Sequence, residues 1–98
     1  MGFSDAKRQV LTCLKSRKIL HEERNNIEIK NLLSTGQVSV EEVKDILSQV
    51  RGNEYEGSKH HTISTLDVHI VKTSFRGKHW YIKWYYLEPD SIFISVHL

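Results

Sequence analysis

Tyr81, Lys83, Ser95 and His97 are spaced so that, in extended chain, their side chains fall on one surface. In His79-Trp80-Tyr81-Ile82-Lys83-Trp84-Tyr85-Tyr86 the even positions carry Trp80, Ile82 and Trp84, and the odd ones carry His79, Tyr81, Lys83 and Tyr85. The run from Ser91 to His97 alternates likewise, with Ile92, Ile94 and Val96 against Phe93, Ser95 and His97. Successive strand side chains point to opposite faces, so packing both apolar sets on one core leaves the phenol, the ammonium and the imidazole together on the other. That combination suits acid/base work on a phosphate ester.

Cleaving RNA without a metal requires a base for the 2′-OH, an acid for the leaving 5′-oxygen and cations for the charge on the phosphoryl oxygens. Each proton-transfer partner typically adds about 10²–10⁴ in rate. His97 suits either proton role, because an unperturbed imidazole titrates near pH ~6.5. Tyr81 supplies a hydrogen bond or a proton, and Lys83 holds the phosphate as a point charge. Arg76 and Lys78 are placed to grip flanking phosphates, and Tyr85 to stack on a base. A Tyr-x-Lys pair is by itself most often structural, since aromatics favour strands and charges favour solvated faces.

The elements that must position these residues show in the periodicity. Ser4 caps an expected helix over about Asp5 to Lys18, with Ala6, Val10, Cys13 and Leu14 as its stripe. A second helix is expected over Glu23 to Ser34, stopping at Thr35-Gly36, with His21-Glu22-Glu23-Arg24 at its entrance. Ser39-Val40-Glu41-Glu42 is a capping box opening a third, whose buried face is Val43, Ile46, Leu47 and Val50. After Gly52 the period becomes two. Leu66, Val68 and Ile70 alternate with Asp67, His69 and Val71, and Phe75-Arg76-Gly77-Lys78 and Leu87-Glu88-Pro89-Asp90 read as turns. Asn53 to Thr65 reads as a further strand or a loop. The expectation is one α+β domain over residues 1–98, with helices in about 4–51 packed on an antiparallel sheet in about 55–98.

Composition narrows the class. With 39% hydrophobic and 27% charged residues, 98 residues make one small core. Apolar runs fall far short of the roughly 20 residues that span a bilayer, and the start lacks a signal-peptide core, so a cytoplasmic protein without membrane contact is expected. Residues 1–58 hold nine basic and nine acidic side chains; residues 59–98 hold five and three, with five of the six histidines. That modest positive bias suits a phosphodiester site, and equally an ordinary basic surface. Cys13 reads as a small core residue. His60, His61, His69 and His79 invite a metal reading, and His69 could meet His79 across the hairpin. Adjacent strand histidines diverge, however, and no Cys pair or His-Glu-x-x-His completes a set, so no metal site is expected. No glycine-rich phosphate loop, dinucleotide fingerprint or Gly-x-Ser-x-Gly elbow is present, and no cofactor is expected.

Asp67-Val68, Gly77, Tyr81-Ile82-Lys83 and Ile94-Ser95-Val96-His97, preceded by a helix and Asn53-Glu54-Tyr55, resemble the C-terminal half of the motility quorum-sensing regulator (MqsR) toxins. These belong to the wider RelE-like group of mRNA interferases. The resemblance covers about residues 39–98 and is most specific in the last twenty. It implies a toxin of a type II toxin–antitoxin pair that cleaves mRNA, free or on the ribosome, through a 2′,3′-cyclic phosphate, and that is silenced by a bound antitoxin. It implies the catalytic tyrosine at Tyr81 and the basic residue of the last strand at His97. The chain departs from the MqsR branch by having His97 in place of lysine and Glu56 in place of the lysine after the first tyrosine, with Lys59 the next cation available for RNA. Two other classes fit the same residues: a non-catalytic RNA-binding module and a protein-interaction domain.

Overall fold

The computed structural model describes residues 2–22, 31–60 and 62–98. Helix α1 spans Phe3–Ser16, and the helical spacing of Ala6, Val10, Cys13 and Leu14 is what buries one side of it. It starts two residues earlier than expected, with Gly2 at the N-cap. It stops where Arg17 turns left-handed (φ 61°) and Lys18 N–H returns to the Cys13 carbonyl. Helix α2, Val40–Ser48, opens on the expected capping box: Ser39 Oγ accepts from Glu42 N–H at 3.1 Å and Glu42 reaches back to Ser39. Such a cap contributes about 1 kcal/mol. Residues 23–30 of the expected second helix lie outside the described residues; from Asn31 to Gly36 the chain is a bridge and turns.

Five strands form one mixed sheet: β1 Ile19–His21, β2 Tyr55–Lys59, β3 Asp67–Phe75, β4 Lys78–Leu87 and β5 Asp90–His97, in the order β1-β5-β4-β3-β2. Strands β2 to β5 are an antiparallel meander, and β1 pairs parallel to β5. The expected α+β class therefore holds, but the sheet is mixed and not wholly antiparallel, because β1, inside the part expected to be helical, adds to the edge of β5 in parallel. His21 is the last residue of β1, where Ile19, Leu20 and His21 pair with Ser91, Ile92 and Phe93. No helix among the described residues is long and apolar enough to cross a membrane.

Both helices cover one face of the sheet. Val10, Leu14, Val43, Ile46 and Leu47 pack there against Val71, Trp80, Ile82, Trp84, Phe93 and Val96. Full burial of one such side chain contributes roughly 1.5–3 kcal/mol. The alternation of β5 is broken in the middle. Lys83 pairs with Ser95 but Trp84 pairs with Phe93, so Ile94 is an extra residue in a β-bulge. The bulge turns Phe93, wholly buried, toward the helices and sends Ile92 and Ile94 to the other face, where they cluster with Val68 and Tyr85. The expectation that Ile92, Ile94 and Val96 share one core is thereby corrected; only Val96 lies under the helices. A strict period of two cannot survive an inserted residue.

Candidate active site on the open face of the sheet

On the face turned from the helices, register assembles rows of side chains across the strands. Lys72 stands opposite Tyr81, and Tyr81 opposite His97. The next row is Glu56, Ile70, Lys83 and Ser95, and on the turn side Ser74 lies opposite His79. Residues directly opposite have Cβ atoms about 4.5–5.5 Å apart, so Lys72, Tyr81, Lys83 and His97 form one patch.

Tyr81 and His97 stack with ring centroids 5.0 Å apart and planes 19° from parallel. Stacked rings present their polar edges side by side instead of to each other. His97 Nδ1 lies 2.9 Å from a backbone oxygen of Leu98. That oxygen carries no hydrogen, so Nδ1–H donates and the neutral ring keeps its lone pair at Nε2. Among the described residues, the Tyr81 hydroxyl and the Lys72 and Lys83 ammonium groups make no hydrogen bond or ion pair. A base nitrogen, a phenol and two cations thus share one patch, in which Tyr81, Lys83 and His97 are half-buried and Lys72 is exposed.

The other expected site residues lie elsewhere. Lys59 is on the helix-side face of β2 and is held by Asp67 at 2.6 Å, a contact that lowers the Asp67 carboxyl's pKa. Tyr85 shares the patch's face but is buried, its ring edge-on to His60 at 5.1 Å and its hydroxyl donating to Glu22 Oε1 at 3.4 Å. It has no free face for a base. Arg76, in the left-handed conformation at the two-residue β3–β4 turn, stacks its guanidinium over Phe75 at 4.9 Å. Lys78 pairs with Phe75 on the helix side. Both cations sit at the hairpin tip, outside the Lys72–Tyr81–His97 row.

The histidines do not converge either. His69 is buried on the helix side, its Nδ1 2.7 Å from the Tyr55 hydroxyl, whereas His79 is exposed on the open face beside Ser74 Oγ. They therefore do not meet across the hairpin. His60 Nε2 donates to Glu22 Oε1 at 3.0 Å, while its Nδ1 accepts from the N–H groups of Thr62 and Ile63 at 3.1 Å each. That group pins the chain after β2 over the Tyr85 cluster. His61 lies outside the described residues.

Lys72 is the residue that alternation alone missed, although the signal was present. A two-residue turn at Arg76-Gly77 sets Phe75 opposite Lys78, and counting back along both strands sets Lys72 opposite Tyr81.

Burial gives this fold a pH dependence. Desolvation lowers the pKa of His69 and of His21 below the ordinary value of 6.5. Below about pH 6.5 the unfolded chain takes up protons that the native rings refuse, so native stability falls as pH drops through that value and is flat above it. Urea midpoints should be lower at pH 5.5 than at pH 7.5, and His69→Gln should flatten the difference. An equal or higher midpoint at pH 5.5 contradicts this account.

Neither a scan of protein-family models nor a search of curated proteins finds a match to this chain.

Proposed function

We propose that the protein is an endoribonuclease that cleaves RNA through the 2′-OH. We read it as an mRNA interferase, the toxin of a type II toxin–antitoxin pair acting in the cytoplasm. The observation that carries this reading is the Lys72–Tyr81–His97 row, with His97 tied at Nδ1 and bare at Nε2. The sequence resemblance to MqsR and RelE-like toxins supports it independently, since it falls on Tyr81 and His97.

In this mechanism His97 Nε2 removes the 2′-OH proton and the 2′-oxygen attacks phosphorus. The P–O5′ bond breaks as the Tyr81 phenol gives its proton to the departing oxygen. The products are a 2′,3′-cyclic phosphate and a 5′-hydroxyl, and solvent restores the starting protonation of both side chains. Lys72 and Lys83 flank the phosphoryl oxygens, where charge grows in the transition state. Arg76 and Lys78 at the hairpin tip are left to hold the strand farther along.

Purified protein incubated with RNA in EDTA should yield fragments ending in 2′,3′-cyclic phosphate. Intact RNA, retained by a salt-sensitive association, would instead support a non-catalytic RNA-binding module using the same cations. Neither cleavage nor binding would favour the protein-interaction reading.

A further inference from the structure

Beside Lys72 the open face is hollowed by a concavity of about 270 Å³ lined by Asn53, Glu54, Tyr55, Glu56, Ile70 and Lys72. Its two carboxylates are in different states. Glu54 is committed to the fold: Oε1 accepts from Arg51 N–H at 2.9 Å and Oε2 from the Thr73 hydroxyl at 2.8 Å, hydrogen bonds that lower its pKa. Glu56 is exposed and, among the described residues, makes no hydrogen bond or ion pair. Glu56 stands opposite Ile70, and Ile70 opposite Lys83. On the sheet it therefore stands two strand spacings, roughly 10 Å of backbone separation, from Lys83 of β4, with Ile70 between.

We infer that this hollow is the subsite for the base on the 5′ side of the scissile phosphate, and that Glu56 selects guanine there. The inference rests on the ribonuclease reading for the position of that phosphate. Guanine alone presents two adjacent N–H donors, N1–H and N2–H, on its Watson–Crick edge, matching the two oxygens of a carboxylate. Adenine and cytosine offer one amino group beside a ring nitrogen whose lone pair a carboxylate repels. Uracil flanks its single N–H with carbonyls. Ile70 gives the ring an apolar floor, and Asn53, which also lines the hollow, carries an amide donor of the kind O6 accepts from. Lys72 lines the same hollow while standing opposite Tyr81, so it joins the base subsite to the reacting phosphate. The negative charge of Glu56 also keeps the phosphate on the Lys72 side.

Calorimetric titration of 3′-GMP, 3′-IMP and 3′-AMP into the wild-type protein, Glu56→Ala and Lys72→Ala tests this. Wild type should bind 3′-GMP roughly 5- to 150-fold more tightly than 3′-AMP, the range for a paired hydrogen-bond contact to a base edge. 3′-IMP, which lacks the N2 amine, should fall between them. Glu56→Ala should collapse the GMP-to-AMP ratio toward one, and Lys72→Ala should weaken all three alike. Equal or undetectable binding of 3′-GMP and 3′-AMP by wild type, or an unchanged ratio in Glu56→Ala, overturns the assignment. Cleavage of a mixed-sequence RNA separates this outcome from that of the parent reading. No cleavage with the GMP preference intact removes the nuclease and keeps the subsite; cleavage after every base alike does the reverse.

Discussion

Replacing His97 with glutamine should lower the rate of RNA cleavage by about 10²–10⁴-fold, the usual contribution of one general acid or base. Glutamine is similar in reach and retains an N–H for the Leu98 oxygen, but it has no nitrogen lone pair to take the 2′-OH proton. The loss should fall on kcat, because the cations that hold the phosphate remain. Stability should hardly change. His97 is half-buried at the end of β5, and substitutions at such sites away from buried networks usually stay within about 0.5 kcal/mol. Single-turnover cleavage and a thermal melt on the same sample check both halves. Cleavage at the wild-type rate by a folded variant would remove His97 from the mechanism.

Phe93→Ala should destabilise the fold by about 3–5 kcal/mol, the range for deleting a buried aromatic side chain. Phe93 is wholly buried beside Trp84, with ring centroids 6.3 Å apart, and is part of the core beneath both helices. A domain of this size typically has about 5–15 kcal/mol in all, so the variant should be largely unfolded or melt far below wild type. The test is sharp because uninterrupted alternation from His97 back to Ser91 would put Phe93 on the solvent face, where its loss would cost little. Urea unfolding measures it. A midpoint within error of wild type would mean that the bulge at Ile94 is misplaced.

These two residues show where the chain could be read and where it could not. The helix N-terminus at Ser39 was legible because a capping box is a local device that needs no tertiary partner. The face of β4 was legible because Trp80, Ile82 and Trp84 alternate cleanly against polar neighbours. The phase of β5 was not, since Ile92, Phe93, Ile94 and Val96 are all apolar and nothing in composition marks which one the bulge inserts. Strand β1 escaped notice because three residues between a helix and a charged stretch carry no period, and only pairing with β5 makes them a strand. Strand β2 has the polar sequence expected of a protected sheet edge, so hydrophobic alternation could not find it.

The candidate site divides in the same way. Tyr81, Lys83 and His97 were reachable from alternation plus a shared core, and that part of β5 lies on the near side of the bulge. Tyr85 was assigned to the same exposed face and does lie on it, but burial depends on what covers a face, here Glu22 and His60 arriving from distant parts of the chain. Lys59 stands one strand position from the open face, and a single residue's offset in a strand inverts direction. Lys72 required register in addition to period.

Incubation of two short RNA oligonucleotides with the purified protein in EDTA shows whether the 2′-oxygen is the nucleophile. They are identical except for a 2′-deoxy substitution at the nucleotide 5′ to the preferred cleavage position. A cut is expected in the all-ribose strand, with a 2′,3′-cyclic phosphate on one product, and none at that position in the substituted strand. Equal cleavage of both strands, or of neither, would contradict attack by the 2′-oxygen.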